Sequence, residues 1–324
     1  MKKSPSSLRC GIVLAAGEGK RLQPLIRRLR GDSLPKQYVT LVGTRSMLEH
    51  TFDRAEALVP RSRLFTVVGK DHLGYPEARR QLSGRARGTV IAQPENRETG
   101  PGLLLPLMHL HKRYPDSTVA VFPSDHFVME EDLFMNYVDL AFHVAEWDPA
   151  SVVLLGMEPD EPEPEYGYIV PGEDLNPMAL LDVRSVRRFV EKPDRRAAAA
   201  LIASGALWNT FVMVFRVQAF LERVEKAAPE LYESFQRVAA AIGSPGEEDV
   251  VREVYRDMRP VNFSTGLLEK IPLDPAARLL VVPVRGVLWS DWGSERRLVS
   301  ALKKIDLPGP LPGVPGAFSL FSEK

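Results

Sequence analysis

One cysteine, Cys10, is all the thiol in this 324-residue sequence, so neither an internal disulfide nor a cysteine-built metal cage can form. Cys10 opens an apolar run to Ala16 that reads as a strand, and such sparse cysteine usage fits a reducing, cytoplasmic setting. An excess of charge of one sign is missing too. Forty-two Lys plus Arg balance 42 Asp plus Glu, which excludes the global basic field of a protein that grips nucleic acid through its phosphates, so any polyanion site must be local. Long uncharged stretches are scarce. Ala197 to Phe215 is one, but Ser204-Gly205 and Asn209-Thr210 interrupt it, so we expect a helix, a turn and a strand there, and no membrane span. The basic Met1 to Ser7 is followed by too short an apolar stretch for a signal peptide, and no repeat with a period of about 20 to 50 residues is present.

What is there is a chain of 44% hydrophobic and 26% charged residues, enough for a sizeable core and incompatible with disorder as the main state. Strand-like runs at Gly11 to Ala15, Leu64 to Val68, Thr89 to Ala92, Thr118 to Phe122 and Ser151 to Leu155 alternate with helix-like segments. The latter are Ser46 to Leu58, Pro76 to Leu82, Leu103 to Tyr114 and Asp132 to Glu146. That alternation predicts βαβ units: an α/β fold with a Rossmann-like, mostly parallel mixed sheet and helices on both faces. Ligands in such sheets gather at the carboxyl ends of the strands, which points to Gly17 to Pro24, Gln93 to Pro101 and Pro123 to His126.

The second half is less regular, with strands expected at Ser185 to Val190, Leu207 to Phe215 and Leu279 to Val284, and helices at Val217 to Ala241, Glu247 to Met258 and Ser294 to Ile305. We read it as an elaboration on one edge of the same sheet. Residues 1–306 are expected to form one domain, with a first half at about 8–157 and a second half at about 158–306. The Pro- and Gly-rich segment 307–324 can be neither a regular helix nor a central strand, and its Phe318, Leu320 and Phe321 point to a docked tail, leaving room for a homo-oligomer.

The strongest local signal is Leu14-Ala15-Ala16-Gly17-Glu18-Gly19-Lys20-Arg21-Leu22-Gln23-Pro24, a strand that ends in small residues and then bears cations. Small residues let backbone N–H groups approach a nucleotide, and Arg21 can fork onto phosphate oxygens. A P-loop would need Ser or Thr at Arg21 and Gly at Leu14, and the dinucleotide fingerprint would need a small residue at Leu22. Alone, the segment fits an ordinary tight βα turn equally well. Likewise Asp125 and Asp291 each fit a turn or cap carboxylate, and Lys192 a solvated turn lysine, when taken singly. The six histidines form no spacing suited to a metal, and no Gly-x-Ser-x-Gly elbow is present.

Taken together the segments have an order. Gly17-x-Gly19-x-Arg21-Leu22-x-Pro24 is followed by Pro35-Lys36-Gln37, Gln93-Pro94-Glu95-Asn96-Arg97-Glu98-Thr99-Gly100-Pro101 and Pro123-Ser124-Asp125-His126. Then come Glu165-Tyr166-Gly167-Tyr168-Ile169, Phe189-Val190-Glu191-Lys192-Pro193, Leu207-Trp208-Asn209-Thr210, Gly266-Leu267-Leu268-Glu269-Lys270 and Trp289-Ser290-Asp291-Trp292-Gly293-Ser294. Over roughly residues 9 to 305 this series resembles the sugar-phosphate nucleotidyltransferases, and within them it is most similar to the mannose-1-phosphate guanylyltransferases. The resemblance implies a glycosyltransferase-A-like fold and the synthesis of a nucleoside-diphosphate sugar, GDP-mannose first, from a nucleoside triphosphate and a sugar 1-phosphate.

It also implies the site. Leu14, Ala15, Ala16, Gly17, Gly19, Gln93, Arg97, Thr99 and Ser124 would bind the nucleotide, and Arg21 and Lys36 its triphosphate. Gly167, Glu191, Lys192 and Asn209 would bind the sugar phosphate, and Asp125 and Asp291 would hold Mg²⁺. These types suit the chemistry, because two anions must meet in line at the α-phosphorus and cations must neutralise them. Magnesium is a hard ion that takes one or two carboxylates with phosphate oxygens and water.

Two departures stand out. The chain carries about four more residues than usual between Pro24 and Pro35, including the basic Arg27-Arg28-Leu29-Arg30, and it has Arg97-Glu98-Thr99-Gly100-Pro101 where the family commonly has Arg-Asn-Thr-Ala-Pro. The short tail leads us to expect one activity, without the appended domains of many relatives. Other readings stay open at this level: a UTP, dTTP or CTP enzyme acting on glucose 1-phosphate, a glycosyltransferase of the same fold, or a catalytically silent nucleotide-sugar-binding subunit. Neither nucleic acid nor membrane is expected as a partner.

Overall fold

The computed structural model describes residues 8–174, 181–270 and 278–304. The expected tail contacts at Phe318, Leu320 and Phe321 lie outside the described residues. Eleven strands are formed among those described: β1 (Arg9–Ala15), β2 (Leu64–Gly69), β3 (Val90–Gln93), β4 (Thr118–Pro123), β5 (Phe127–Val128), β6 (Ser151–Met157), β7 (Gly167–Asp174), β8 (Arg184–Glu191), β9 (Leu207–Arg216), β10 (Arg278–Val284) and β11 (Trp289–Ser290). The helices are α1 (Gln23–Arg30), α2 (Met47–Glu56), α3 (Pro76–Leu82), α4 (Thr99–Arg113), α5 (Glu131–Trp147), α6 (Arg195–Ala203), α7 (Val217–Ala227), α8 (Pro229–Ala241), α9 (Glu247–Asp257) and α10 (Glu295–Lys304).

Nine strands make one sheet in the order β3-β2-β1-β4-β9-β6-β10-β8-β7. The first-half strands β1 to β4 pair in parallel, as a βαβ series requires, and β10 runs parallel to β6. The second half corrects our expectation of an edge elaboration. β9 is inserted antiparallel between β4 and β6, in the middle of the sheet, and β10 lies beyond β6, so only β8 and β7 extend the edge. Its run of apolar residues is the reason: Val212 to Phe215 are all buried, which suits a strand covered on both faces. The two halves therefore share one sheet, with a hydrophobic cluster on each face.

Three local differences have clear causes. The stretch expected as one helix over 217–241 breaks at Pro229, which lacks the N–H that a continuing helix needs and instead opens α8. Helix α4 starts at Thr99, ahead of the expected Leu103, because the Pro and Gly residues there occupy its first turn, where no intrahelical N–H donor is required. Gln23 to Arg30, expected as the end of a loop and a basic insert, is helix α1, with Leu25 and Ile26 buried and Gly31 closing it at φ 79°. Its arginines lie in the last turn, where positive charge complements the helix dipole. They are engaged elsewhere in the fold: Arg28 with Glu295 at 2.7 Å and Arg30 with Asp32 and Glu77 at 3.0 and 2.7 Å. The basic insert is thus a brace between α1, α3 and α10.

Among the described residues no helix is long and apolar enough to cross a membrane. The uncharged stretch from Ala197 to Phe215 forms the end of α6, a turn through Gly205 and most of β9, as its interrupting residues predict.

Candidate active site

The carboxyl ends of β1 and β4 lie side by side, since Leu14 is in register with Pro123 and the Ser124 N–H donates to the Leu14 carbonyl at 3.1 Å. The chain then turns through Asp125 and His126 into β5, which pairs with β11 as a two-stranded ribbon with Ser290 opposite Phe127. Two segments far apart in the sequence are tied together this way, bringing Asp125 and Asp291 to one cleft. The stacked rings of Phe127 and Trp292, 4.8 Å apart, and the Trp289 ring edge-on to His126 at 5.1 Å hold the ribbon.

The cleft encloses about 480 Å³ and is lined by Gly19, Arg21, Lys36, Asp125 and Asp291 among others. Lys36 is its pivot. Its side chain is only 5% exposed, and its ammonium lies 2.9 Å from Asp125 Oδ2 while donating to the backbone carbonyls of Asp291 and Trp292 at 2.6 and 3.2 Å. Burial by itself would raise the Asp125 carboxyl pKa, but the charge and hydrogen bond of Lys36 chiefly outweigh that and hold it below the ordinary aspartate value. Burial pushes the His126 imidazole down to about 4, so at neutral pH it carries no charge and is no rival cation.

Asp291 is clamped on the other side. Arg297, with a side chain 4% exposed, reaches Oδ1 through Nε at 2.9 Å and Oδ2 through Nη2 at 3.1 Å. Oδ1 also accepts from the Tyr166 hydroxyl and from the Gly293 N–H, each at 2.9 Å. The contact to Gly293 is the turn-type bond that the sequence allowed for this aspartate, so a structural role coexists with its place in the cleft.

The nucleotide set is brought together in part. Leu14, Ala15, Ala16, Gly17 and Gly19 line the end of β1 and the turn after it, and Gln37 Nε2 donates to the Ala15 and Gly17 carbonyls at 2.8 and 2.9 Å, fixing that turn. Gln93 ends β3, buried, with its Oε1 unpartnered. Arg97 and Thr99 are engaged with the segment ahead of residue 264: Arg97 donates to the Arg256 carbonyl at 3.2 Å and pairs with Glu95 at 3.0 Å, and the Thr99 hydroxyl accepts from the Phe263 N–H at 2.8 Å. Gly100 donates to the Val261 carbonyl at 2.9 Å, and a Cβ on it would come within 2.7 Å of that oxygen. The departure from alanine at 100 is therefore steric. Glu98 takes φ 72° and ψ −176°, a region that side chains avoid.

The sugar-phosphate set forms a neighbouring cluster and does not line the cleft itself. Gly167 on β7 is paired with Glu191 on β8, and Lys192, just beyond, has φ 46° and donates its N–H to the Tyr166 carbonyl at 3.1 Å. Lys192 Nζ lies 3.5 Å from Glu191 Oε1. Asn209 is opposite Gly156, next to Trp208, whose ring meets Tyr166 edge-on at 4.9 Å. Tyr166 joins the two clusters, because its hydroxyl reaches Asp291 and its carbonyl holds Lys192. Tyr166, Arg297, Gln37 and Glu165 were not among the residues assigned a site role from the sequence, although Tyr166, Gln37 and Glu165 belong to segments that carried the resemblance.

No group of three or more His, Cys, Asp or Glu suited to a metal exists among the described residues, so an all-protein cage is absent there. The donor set nevertheless suits an ion that needs few protein ligands. Asp125 and Asp291 are hard oxygen donors on one cleft, Asp125 Oδ1 lying 3.8 Å from His126 Nε2 and both Asp291 oxygens being held by Arg297.

The family model described as nucleotidyl transferase matches residues 10–306. The xanthan biosynthesis protein XanB of Xanthomonas campestris is 30% identical over 287 residues, covering 87% of this chain and 57% of that protein. A mannose-1-phosphate guanylyltransferase of Klebsiella pneumoniae is 30% identical over 304 residues, 93% of this chain and 62% of its own length. This chain thus spans somewhat more than half of these curated relatives. Among solved structures, a Thermus thermophilus protein described as a mannose-1-phosphate geranyltransferase superposes with a TM-score of 0.76 at 28% identity, over 91% of this chain and 79% of its own.

Proposed function

The chain belongs to the nucleotidyl transferase family, and from that premise we propose that it transfers the nucleotidyl group of GTP to mannose 1-phosphate, giving GDP-mannose and pyrophosphate. The observation that carries this reading is the contact of one buried ammonium, Lys36 Nζ, with Asp125 and with the backbone of Asp291, in a cleft that Arg21 also lines. The names borne by the Klebsiella and Thermus relatives favour mannose 1-phosphate as the acceptor.

The reaction needs positioning more than proton transfer. An oxygen of the sugar phosphate, already ionised, forms a bond to the α-phosphorus as the bond from that phosphorus to the β-bridging oxygen breaks, and pyrophosphate leaves with the electron pair. Arg21 would hold the triphosphate with a forked pair of N–H groups. Lys36, fixed by two carbonyls and Asp125, has little freedom left to lose when phosphate oxygens arrive, which is the preorganisation that electrostatic catalysis requires. Lys192 and Glu191 would receive the phosphate and hydroxyls of the sugar on the far side of Tyr166. Asp125 and Asp291 would hold Mg²⁺, which supplies positive charge to the phosphoryl oxygens.

The test is a panel of four nucleoside triphosphates against several hexose 1-phosphates with Mg²⁺, read by pyrophosphate release. GTP with mannose 1-phosphate should give the highest kcat/KM. A tenfold advantage for another pair would keep the reaction class and overturn the substrates, whereas tight binding of GDP-mannose with no turnover anywhere on the panel would favour a regulatory subunit.

A further inference from the structure

Arg21, the guanidinium given to the triphosphate above, is already occupied. Its Nη1 lies 2.6 Å from Glu165 Oε1, while the other oxygen of Glu165 is taken by Arg297 Nη1. Burial works to raise the Glu165 carboxyl pKa, but Arg297 and Arg21 outweigh it and keep it below the ordinary glutamate value, so it is ionised at neutral pH. Arg297 continues onto Asp291, and the groups converge on the Gly293 backbone. A Cβ at 293 would overlap Arg297 Nη2 and Asp291 Oδ2 and come within 2.9 Å of Arg21 Nη2. Arg21, Glu165, Arg297 and Asp291 thus form one chain of alternating charge from the mouth of the cleft to its carboxylates.

The two ends of that chain differ. Arg297 is sealed in, whereas the Arg21 and Glu165 side chains are 52% and 41% exposed. The outer pair can open without disturbing the core, and Glu165 would still keep Arg297, so no buried charge is left alone.

We propose that Glu165 is a surrogate anion for the triphosphate: it holds Arg21 in the substrate-free chain and must be displaced by the incoming polyphosphate, so it sets the affinity and the selectivity of that subsite. An anionic phosphate oxygen is the same kind of acceptor for a guanidinium N–H as the Glu165 Oε1 it would replace, so the exchange changes the partner of Arg21 and not its role as a charged donor. A polyphosphate, with several contacts in the cleft, gains enough to displace the carboxylate. A lone sugar phosphate gains less, which steers it away from Arg21 and toward Lys192.

This inference rests on the transferase reading, and the experiment separates the two. Inorganic pyrophosphate with Mg²⁺, and GTP with Mg²⁺, are titrated calorimetrically into the wild-type chain and into Glu165→Gln and Glu165→Ala, with thermal melts of each. Both variants should bind both ligands about two- to fivefold more tightly, the scale of one half-exposed ion pair, and mannose 1-phosphate at high concentration should compete with GTP in the variants more than in wild type. Unchanged or weaker binding in variants that melt like wild type overturns the proposal. So does a melting temperature lowered by more than about 5 °C in both, since that identifies Glu165 as a brace for Arg297. A wild-type chain that binds neither ligand contradicts the transferase reading itself, and this inference with it.

Discussion

Lys36 and Asp125 meet at 2.9 Å although they come from the loop after α1 and the turn after β4, and the same lysine ammonium donates to the carbonyl of Asp291 on a third segment. One cation therefore ties the Asp125 carboxylate to the backbone of Asp291 before any substrate is present. Replacing it by methionine keeps most of its volume and removes its charge. Lys36→Met should lower kcat by at least ~10², the scale of losing a key electrostatic contact, as measured by pyrophosphate release. It should also lower thermal stability, because the Asp125 carboxylate, 36% exposed, loses its partner.

Either Asp125→Asn or Asp291→Asn should reduce kcat by ~10² or more, and chelation should abolish activity that added Mg²⁺ restores. Asp291→Asn carries a second expectation, since the buried Arg297 loses one of its charged partners and the melting temperature should fall too. Full activity in either variant removes that residue from the metal site.

The split between clusters on either side of Tyr166 predicts a split in kinetics. Lys192→Ala should raise the KM for the sugar phosphate, and Arg21→Ala should chiefly damage triphosphate use and turnover. Equal effects of both variants on both substrates would contradict the division.

Much of this was legible in the sequence and some was not, for physical reasons. Strands β1, β2, β4 and β6 stand within two residues of their expected ends because each is a continuous buried apolar run, the signature of a strand covered on both faces. The place of β9 inside the sheet was not legible, since strand order is set by long-range pairing and a local pattern carries no trace of it. The segments that build the cleft were found through their order along the chain. Their joining by the β5–β11 ribbon was not, because strands of two residues leave no periodicity. Arg297 stands inside an apparently ordinary basic helix, Glu295–Lys304, and only its burial against Asp291 sets it apart.

Glu98 gives a stability test independent of catalysis. At φ 72° and ψ −176° it occupies a conformation that glycine adopts without strain. Glu98→Gly should stabilise the chain by up to ~1 kcal/mol, offset in part by greater freedom of the unfolded state, and a thermal melt reads the sign. A clear loss of stability would mean that the Glu98 side chain contributes contacts outweighing its backbone strain.

His126 gives a pH test. Its folded pKa, pushed by burial to about 4, lies below the ordinary 6.5, so its neutral form favours the folded state above pH 6.5. That contribution should be lost as the pH falls from about 6.5 to about 4, and His126→Asn should flatten the stability curve across this window. An unchanged curve would show that His126 does not set it.

The central claim is nucleotidyl transfer to a sugar phosphate, and its most direct measurement is the stoichiometry of products, followed by phosphorus NMR in one mixture of GTP, mannose 1-phosphate, Mg²⁺ and the chain. The account predicts pyrophosphate and GDP-mannose appearing one for one, with neither formed when the sugar phosphate is left out. Pyrophosphate released without the sugar phosphate, or no pyrophosphate with any triphosphate and hexose phosphate supplied, would contradict it.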